Sequence, residues 1–155
     1  MKIKLVAVGK VKERFFADGI AEYLKRCGRW VDVSVIEIDD CAVKENAVGA
    51  RTLAMEREAD KILPVLGGFV IALDIDGKTL TSEELASAVK KGLETSGEVC
   101  FVIGGSYGLS PRVKNRADLR LSFGRVTFPH QLVRQMTAEQ IYRSLTLIAG
   151  HPYHK

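Results

Sequence analysis

The sequence predicts an α/β fold with a mostly parallel sheet flanked by helices. Segments with strand patterning alternate along the whole chain with segments of helical spacing, and such chains bury a parallel sheet between helix layers. Two strand segments, FVIALDI at 69–75 and EVCFVI at 98–103, are continuous apolar runs with β-branched members. That is the pattern of strands covered on both faces.

Each element can be read in order. Residues 2–8 alternate and end at Gly9, which predicts a first strand. Residues 13–27 place Phe16, Ile20, Tyr23, Leu24 and Cys27 at three- and four-residue steps, an amphipathic helix stopped by Gly28. Residues 31–38 alternate again as a strand, and 44–63 have helical composition up to Pro64. After the 69–75 strand, Asp76-Gly77-Lys78 predicts a turn. Thr81 with Glu84 then forms a capping-box pattern that opens a helix to about Leu93. Beyond the 98–103 strand, Pro111 opens a short helix through Asp118 and residues 119–123 form a fifth strand. The last helix spans 131–149 with Val133, Met136, Ile141, Leu145 and Ile148 inward, and Gly150 caps it.

At 155 residues, with 46% hydrophobic and 27% charged side chains, the chain suits a single domain over 1–155. No apolar run nears the ~20 residues of a membrane span, and the first residues do not resemble a signal peptide. A cytoplasmic protein is expected. Cys27, Cys41 and Cys100 are widely spaced and form no Cys-x-x-Cys pair, so neither a zinc site nor a redox dithiol is expected. Charge is asymmetric: residues 1–100 hold 15 basic and 17 acidic side chains, whereas 101–155 hold 8 basic and 2 acidic ones. A basic final third suits a polyanionic partner, although a solvated basic face would look the same.

Four motifs carry chemistry. Ile103-Gly104-Gly105-Ser106-Tyr107-Gly108-Leu109 follows a buried strand, where ligands sit in open α/β sheets and glycines permit close backbone approach. It is neither GxGxxG nor a phosphate-binding loop, and a structural turn remains open. Leu73-Asp74-Ile75-Asp76-Gly77-Lys78 reads as a solvated turn, with a metal or ribose site as the alternative. Leu121 to Arg134 leads from a strand into a helix begun near Pro129, whose amides suit an anion. His130 and Arg134, four residues apart, share a face there. The terminal His151-Pro152-Tyr153-His154-Lys155 suits base stacking and phosphate contact, or is a loose end.

In this order, the pieces resemble the ribosomal RNA large-subunit methyltransferase H family of the knotted SPOUT superfamily. The matching residues are Lys4 to Lys10, Glu22-Tyr23, Leu73-Asp74, Ile103-Gly104-Gly105 with Gly108-Leu109-Ser110, Thr127-Phe128-Pro129-His130, Glu139 to Arg143, and His151 to Lys155. They span the whole chain, with 39–68 matching least. The resemblance implies a deep C-terminal trefoil knot, a homodimer, and S-adenosylmethionine bound in the knot. The donor-binding residues it implies are Leu73, Gly104, Gly105, Phe123, Gly124, Arg125, Val126, Thr127 and Phe128. The implied reaction is methylation of N3 of a pseudouridine in 23S rRNA of the assembled ribosome, with the base lying across the dimer interface.

That reaction needs the N3 proton removed, for which His130, His154 and Glu139 are candidates. Arg134 or Arg143 suits the resulting anion. Arg143, Tyr153, His154 and Lys155 are the expected RNA contacts. Further expectations are that a side chain at Gly105 fills the donor's volume, that Tyr142 and Leu145 lie near the dimer interface, and that Arg112, Lys114 and Arg116 bind the ribosome. A non-catalytic ribosome-binding or assembly factor, a methyltransferase for another RNA, and a flavodoxin-like small-molecule protein are the alternatives.

Overall fold

The computed structural model describes residues 1–44 and 47–155. The chain runs β1 (Lys2–Val8), α1 (Arg14–Cys27), β2 (Asp32–Ile38), α2 (Ala50–Ile62), β3 (Phe69–Thr79), α3 (Ser82–Ser96), β4 (Glu98–Ile103), α4 (Pro111–Arg116), β5 (Leu119–Ser122) and α5 (His130–Ile148). The strands form one sheet in the order β2-β1-β4-β3-β5, with every neighbouring pair parallel. All five strands therefore end at one edge of the sheet, and the loops that follow them gather there.

Strand alternation divides the core in two. Ile3, Leu5, Ala7, Ile71, Phe101 and Ile103 face one layer, packed with Cys27 of α1, Leu85 and Val89 of α3, and Ile141 and Leu145 of α5. Val6, Val8, Val70, Ala72, Cys100 and Val102 face the other, against Ala59 and Ile62 of α2 and Val113 of α4. The central strands are buried on both faces, as their continuous apolar runs require. Burial pushes the Cys27 thiol up to about 12 and the Cys100 thiol up to about 11, so both stay protonated.

The elements differ from expectation in their bounds and in one buried face. The helix expected from 44 begins at Ala50, preceded by Gly49 at a left-handed φ of 74°; residues 45 and 46 of that expectation lie outside the described residues. The turn expected at 76–78 lies within β3. Pairing with β5 breaks after Leu73, then resumes at Lys78 and Thr79. The inward face of α5 also differs: Ile148 is exposed, while Arg134, Thr137, Ser144 and Thr146 are buried. Apolar periodicity misses these polar residues because their partners are nearby or paired. Thr137 and Thr146 donate to the carbonyls of Val133 and Arg143 at 2.8 and 2.7 Å.

Two caps match their motifs. Thr81 Oγ1 accepts from the Glu84 amide at 3.1 Å, and Glu84 accepts from the Thr81 amide at 2.7 Å. Gly150, at φ 67°, ends α5; its amide donates to Leu147 and that of His151 to Thr146, the reciprocal pattern of a Schellman end. Tyr142 and Leu145, expected near a dimer interface, are buried in the chain's own core.

Candidate active site

A cavity of about 410 Å³ opens at the carboxyl edge of the sheet. Its wall comes from three loops that are far apart in sequence: the end of β3, the glycine loop after β4, and the segment between β5 and α5. Leu73, Gly104, Gly105, Phe123, Gly124, Val126, Thr127 and Phe128 all line it. Arg125 does not; it is exposed on the outside of its loop. Leu121 and Val133 also line the cavity. In sequence they look like ordinary core residues, and no signal marks them.

The glycine loop is a tight hairpin in which Gly105 and Gly108 form a bridge and the Gly108 amide donates to Gly105 O at 3.0 Å. A Cβ at Gly104 would lie 2.6 Å from the Gly108 carbonyl carbon. Gly105 behaves differently from expectation. Its Cβ would point away from the cavity, 2.9 Å from a Glu58 carboxylate oxygen and 3.1 Å from Val8. A side chain there meets Glu58 of α2 and Val8 of β1 rather than filling the cavity.

Glu58 is thus a buried carboxyl wedged behind the loop, 5% exposed, and its Oε2 has no hydrogen-bond partner among the described residues. Burial raises its pKa, with Asp40 adding to the effect. A carboxyl whose folded pKa is raised costs stability above its unfolded value, and the cost disappears as pH falls below it. Glu58→Gln keeps the shape and removes the charge. The variant is expected to melt about 2–4 °C higher at neutral pH, a gain of about 1 kcal/mol, with the difference fading near pH 4. A lower melting temperature at pH 7.5 would show that the ionised carboxylate is stabilising.

His130 opens α5 and lines the cavity. Its Nε2–H donates to the Gly104 carbonyl at 2.8 Å. A carbonyl can only accept, so in the neutral ring Nδ1 is the bare nitrogen. Burial lowers the His130 pKa, and nearby Arg134 lowers it further. Arg134 shares that helix face, as the spacing implied, but does not reach the cavity. It is 2% exposed, ion-paired with Glu37 of β2, and donates to Gly9 O at 2.8 Å. Its guanidinium ties α5 to the ends of β1 and β2.

Asp74 is no solvated turn. Its side chain is 2% exposed, lies 3.4 Å from Lys114 and 3.6 Å from Arg120, and accepts from the Asp76 amide at 3.1 Å. Glu139 does not line the cavity. It accepts from Arg143 Nε at 3.0 Å, from Gln140 at 2.8 Å and from the Tyr153 hydroxyl at 3.1 Å. That occupancy leaves it poorly placed to take a proton from a substrate.

The tail packs against α5. The Tyr153 ring packs edge-on to Tyr142 at 4.7 Å, with the Arg143 guanidinium 4.8 Å from its centre. Arg143 donates to His154 Nδ1 at 3.1 Å, and His154 Nε2 donates to Glu83 at 2.9 Å. None of Arg143, Tyr153, His154 or Lys155 lines the cavity of this chain.

Most cations of the final third are ion-paired, some to acids from the rest of the chain and some to Asp118 and Glu139 within it. Arg112 pairs with Glu56 and Asp60, Lys114 and Arg120 with Asp74, and Arg116 with Asp118. Arg112, Lys114 and Arg116 are thus ion-paired within the fold while their side chains stay partly exposed. Among the described residues, no group of three His, Cys, Asp or Glu side chains gathers as a metal site.

Comparison with known proteins places the chain in a family. Residues 1–154 match the family described as "predicted SPOUT methyltransferase". The ribosomal RNA large subunit methyltransferases H of Carboxydothermus hydrogenoformans and Streptococcus thermophilus are 49% and 46% identical to the chain, over 100% of both partners. That of Lactococcus lactis subsp. cremoris is 49% identical, again over 100% of both. Among solved structures, a probable methylase family protein from Haemophilus influenzae superposes with a TM-score of 0.58 at 12% identity, over 99% of this chain and 70% of that one. A probable methyltransferase from Bordetella pertussis superposes with a TM-score of 0.55 at 14% identity, covering 92% and 93%. These two show a shared fold. With the family match covering all but the last residue and relatives nearly half identical from end to end, the chain belongs to the SPOUT methyltransferase family, in the group of the ribosomal RNA large subunit methyltransferases H.

Proposed function

We propose that this protein is an S-adenosylmethionine-dependent methyltransferase that methylates N3 of a pseudouridine in 23S rRNA of the assembled ribosome. The observation that carries the reading is the cavity at the carboxyl edge, walled by three loops of which one is a glycine hairpin. Its volume of about 410 Å³ suits a ligand of the donor's size. The donor fits the residues present. Leu73, Ile103, Leu121 and Phe128 offer apolar surface for adenine, while the glycine loop and the uncapped start of α5 offer backbone groups. Bound there, S-adenosylmethionine supplies a methyl group already activated by its sulfonium.

The chain's own residues then have two tasks. The loops position the reacting groups, which accounts for much of the rate when the donor is already activated. His130 removes the N3 proton through Nδ1, since Nε2–H is held by Gly104 O. Its lowered pKa keeps it neutral at physiological pH, so the base form is available. The active unit is a cytoplasmic homodimer. Exposed Ile75 and Val126 stand on the loops around the cavity and suit contact with a second copy. The implied trefoil knot accords with the path from edge strand β5 back across β3 to Gly104 at the end of β4.

The direct test is mass mapping of modified nucleosides on intact ribosomes and on free rRNA, incubated with protein and donor. A new N3-methylated pseudouridine on ribosomes is expected; donor binding without any modified nucleoside would leave the non-catalytic ribosome factor as the reading. His130→Gln tests the base, because glutamine can still donate to Gly104 O. It is expected to bind donor normally and to lose about 10²–10⁴-fold in methylation. Wild-type activity should fall in acid with an inflection below the ordinary histidine value of ~6.5, and the variant should lack that limb. An unchanged acid limb in His130→Gln would assign the proton to another group.

A further inference from the structure

Behind His130 lies a second, more polar pocket of about 530 Å³. It shares Gly105, Ser106 and His130 with the donor cavity, so the two are neighbours across one wall. Its other side is formed by Lys10 and Lys12 after β1 and by Asp39 and Asp40 after β2. We propose that this pocket is a ribonucleotide subsite that holds the phosphate and ribose of the RNA strand carrying the target base. The proposal rests on the RNA methyltransferase reading above.

The pocket is a built site. Gln131 Oε1 accepts from the amides of Lys12 and Glu13 at 2.9 and 3.0 Å, which clamps the lysine loop to the first turn of α5. The helix N-cap, Pro129, provides no side-chain cap. The positive end of a 19-residue helix therefore adds to two lysine charges on the same side. Among the described residues, neither lysine is ion-paired to an acidic side chain, in contrast to most cations of the final third. That side of the pocket suits a phosphate.

Asp39 and Asp40 are exposed, and their carboxylates accept no hydrogen bond from a side chain among the described residues. Ionised carboxylates can only accept. Beside a phosphate site, the neutral donors they would take are ribose hydroxyls, and the 2′-hydroxyl distinguishes RNA from DNA. Lysines within the same pocket oppose the alternative of a divalent cation. The wall shared with the donor places a nucleotide held here next to the methyl group's cavity. A strand anchored at this point can deliver its unpaired base.

The experiment has two arms. In the first, Lys10→Ala/Lys12→Ala is compared with wild type for S-adenosylmethionine binding by calorimetry and for methylation of ribosomes at several salt concentrations. Donor affinity should be unchanged, while kcat/KM falls roughly 10- to 100-fold, mainly through KM. The slope of log(kcat/KM) against log salt should flatten by about 0.7 for one phosphate left unneutralised on a single strand. In the second arm, uridine 5′-monophosphate and its 2′-deoxy form are titrated into donor-saturated protein, followed by amide chemical shifts. The ribonucleotide should move Gly9, Lys12, Ser106 and His130 at lower concentration than the deoxynucleotide does. Asp39→Asn/Asp40→Asn should abolish the difference.

Wild-type kcat/KM and salt slope in the lysine variant, or shifts confined to residues outside this pocket, would overturn the proposal. The shift titration does not depend on turnover. Wild-type protein that binds donor but modifies no rRNA overturns the functional reading separately, while the titration still decides the pocket.

Discussion

Gly104→Ala is expected to abolish S-adenosylmethionine binding while leaving the sheet folded. An added Cβ would stand 2.6 Å from the Gly108 carbonyl carbon, 2.8 Å from its oxygen and 2.9 Å from the Leu109 nitrogen. All three are backbone atoms, so no side chain can swing aside. Relief requires the hairpin to open, which breaks the Gly105–Gly108 bridge and moves the carbonyl that His130 holds. The loop is also a wall of the cavity, and the rest of the wall comes from loops that do not follow it. Donor affinity should fall by about 100-fold or more, about 2.7 kcal/mol. The strand before the loop ends at Ile103 and is buried in both layers' packing, so circular dichroism should be unchanged. Gly150→Ala is the control. Its positive φ makes alanine costly by roughly 1 kcal/mol, yet it closes α5 far from the donor loops and should bind donor normally. Wild-type affinity in folded Gly104→Ala would show that the hairpin is not part of the donor site.

Much of this architecture was legible in the residues because it follows from local rules. Continuous apolar runs at 69–75 and 98–103 marked the doubly covered centre of the sheet, and they occupy it as β3 and β4. Gly9, Gly104 and Phe123 follow strand ends, and a parallel sheet brings such positions to one edge. Long-range pairing was not legible. Nothing local shows that Arg134 is buried against Glu37, 97 positions away in sequence. The same holds for Arg112, whose partners are 56 and 52 positions distant. Counting charge along the chain therefore does not show which of those cations fold against acidic partners. Lys10 and Lys12, which line the second pocket, lie instead within residues 1–100, where 15 basic side chains meet 17 acidic ones. Glu58 was invisible for a related reason. A glutamate on a helix reads as solvated, and only the packing of α2 against the glycine loop buries it.

Deleting Tyr153-His154-Lys155 is expected to leave donor binding within about threefold and to lower methylation by roughly 5- to 150-fold. The loops proposed to hold the donor lie between residues 73 and 128, and no tail residue lines their cavity. The tail nevertheless has a place in the fold. Burial and Glu139 push the Tyr153 phenol up to about 12, so its hydroxyl remains a donor to that carboxylate at any physiological pH. His154 joins α5 to α3 through Arg143 and Glu83. A purely structural tail would thus show itself as a lower melting temperature, about 2–4 °C per kcal/mol for a chain of this size, with kcat/KM preserved well below the transition. A tail that engages RNA predicts the opposite partition. Stacking on one base is worth about 1–3 kcal/mol, roughly 5- to 150-fold in kcat/KM, and the loss should be present at any temperature. The contacts that hold His154 are easily exchanged for RNA, because Glu83 is 63% exposed and such surface pairs are worth about 1 kcal/mol or less. Lys155→Ala separates the two roles further. Lys155 is exposed, so its loss should spare the melting temperature and lower activity only through phosphate contact. Methylation of ribosomes at the wild-type rate by the truncated enzyme would make the tail a clasp on α5 and place the RNA contacts elsewhere.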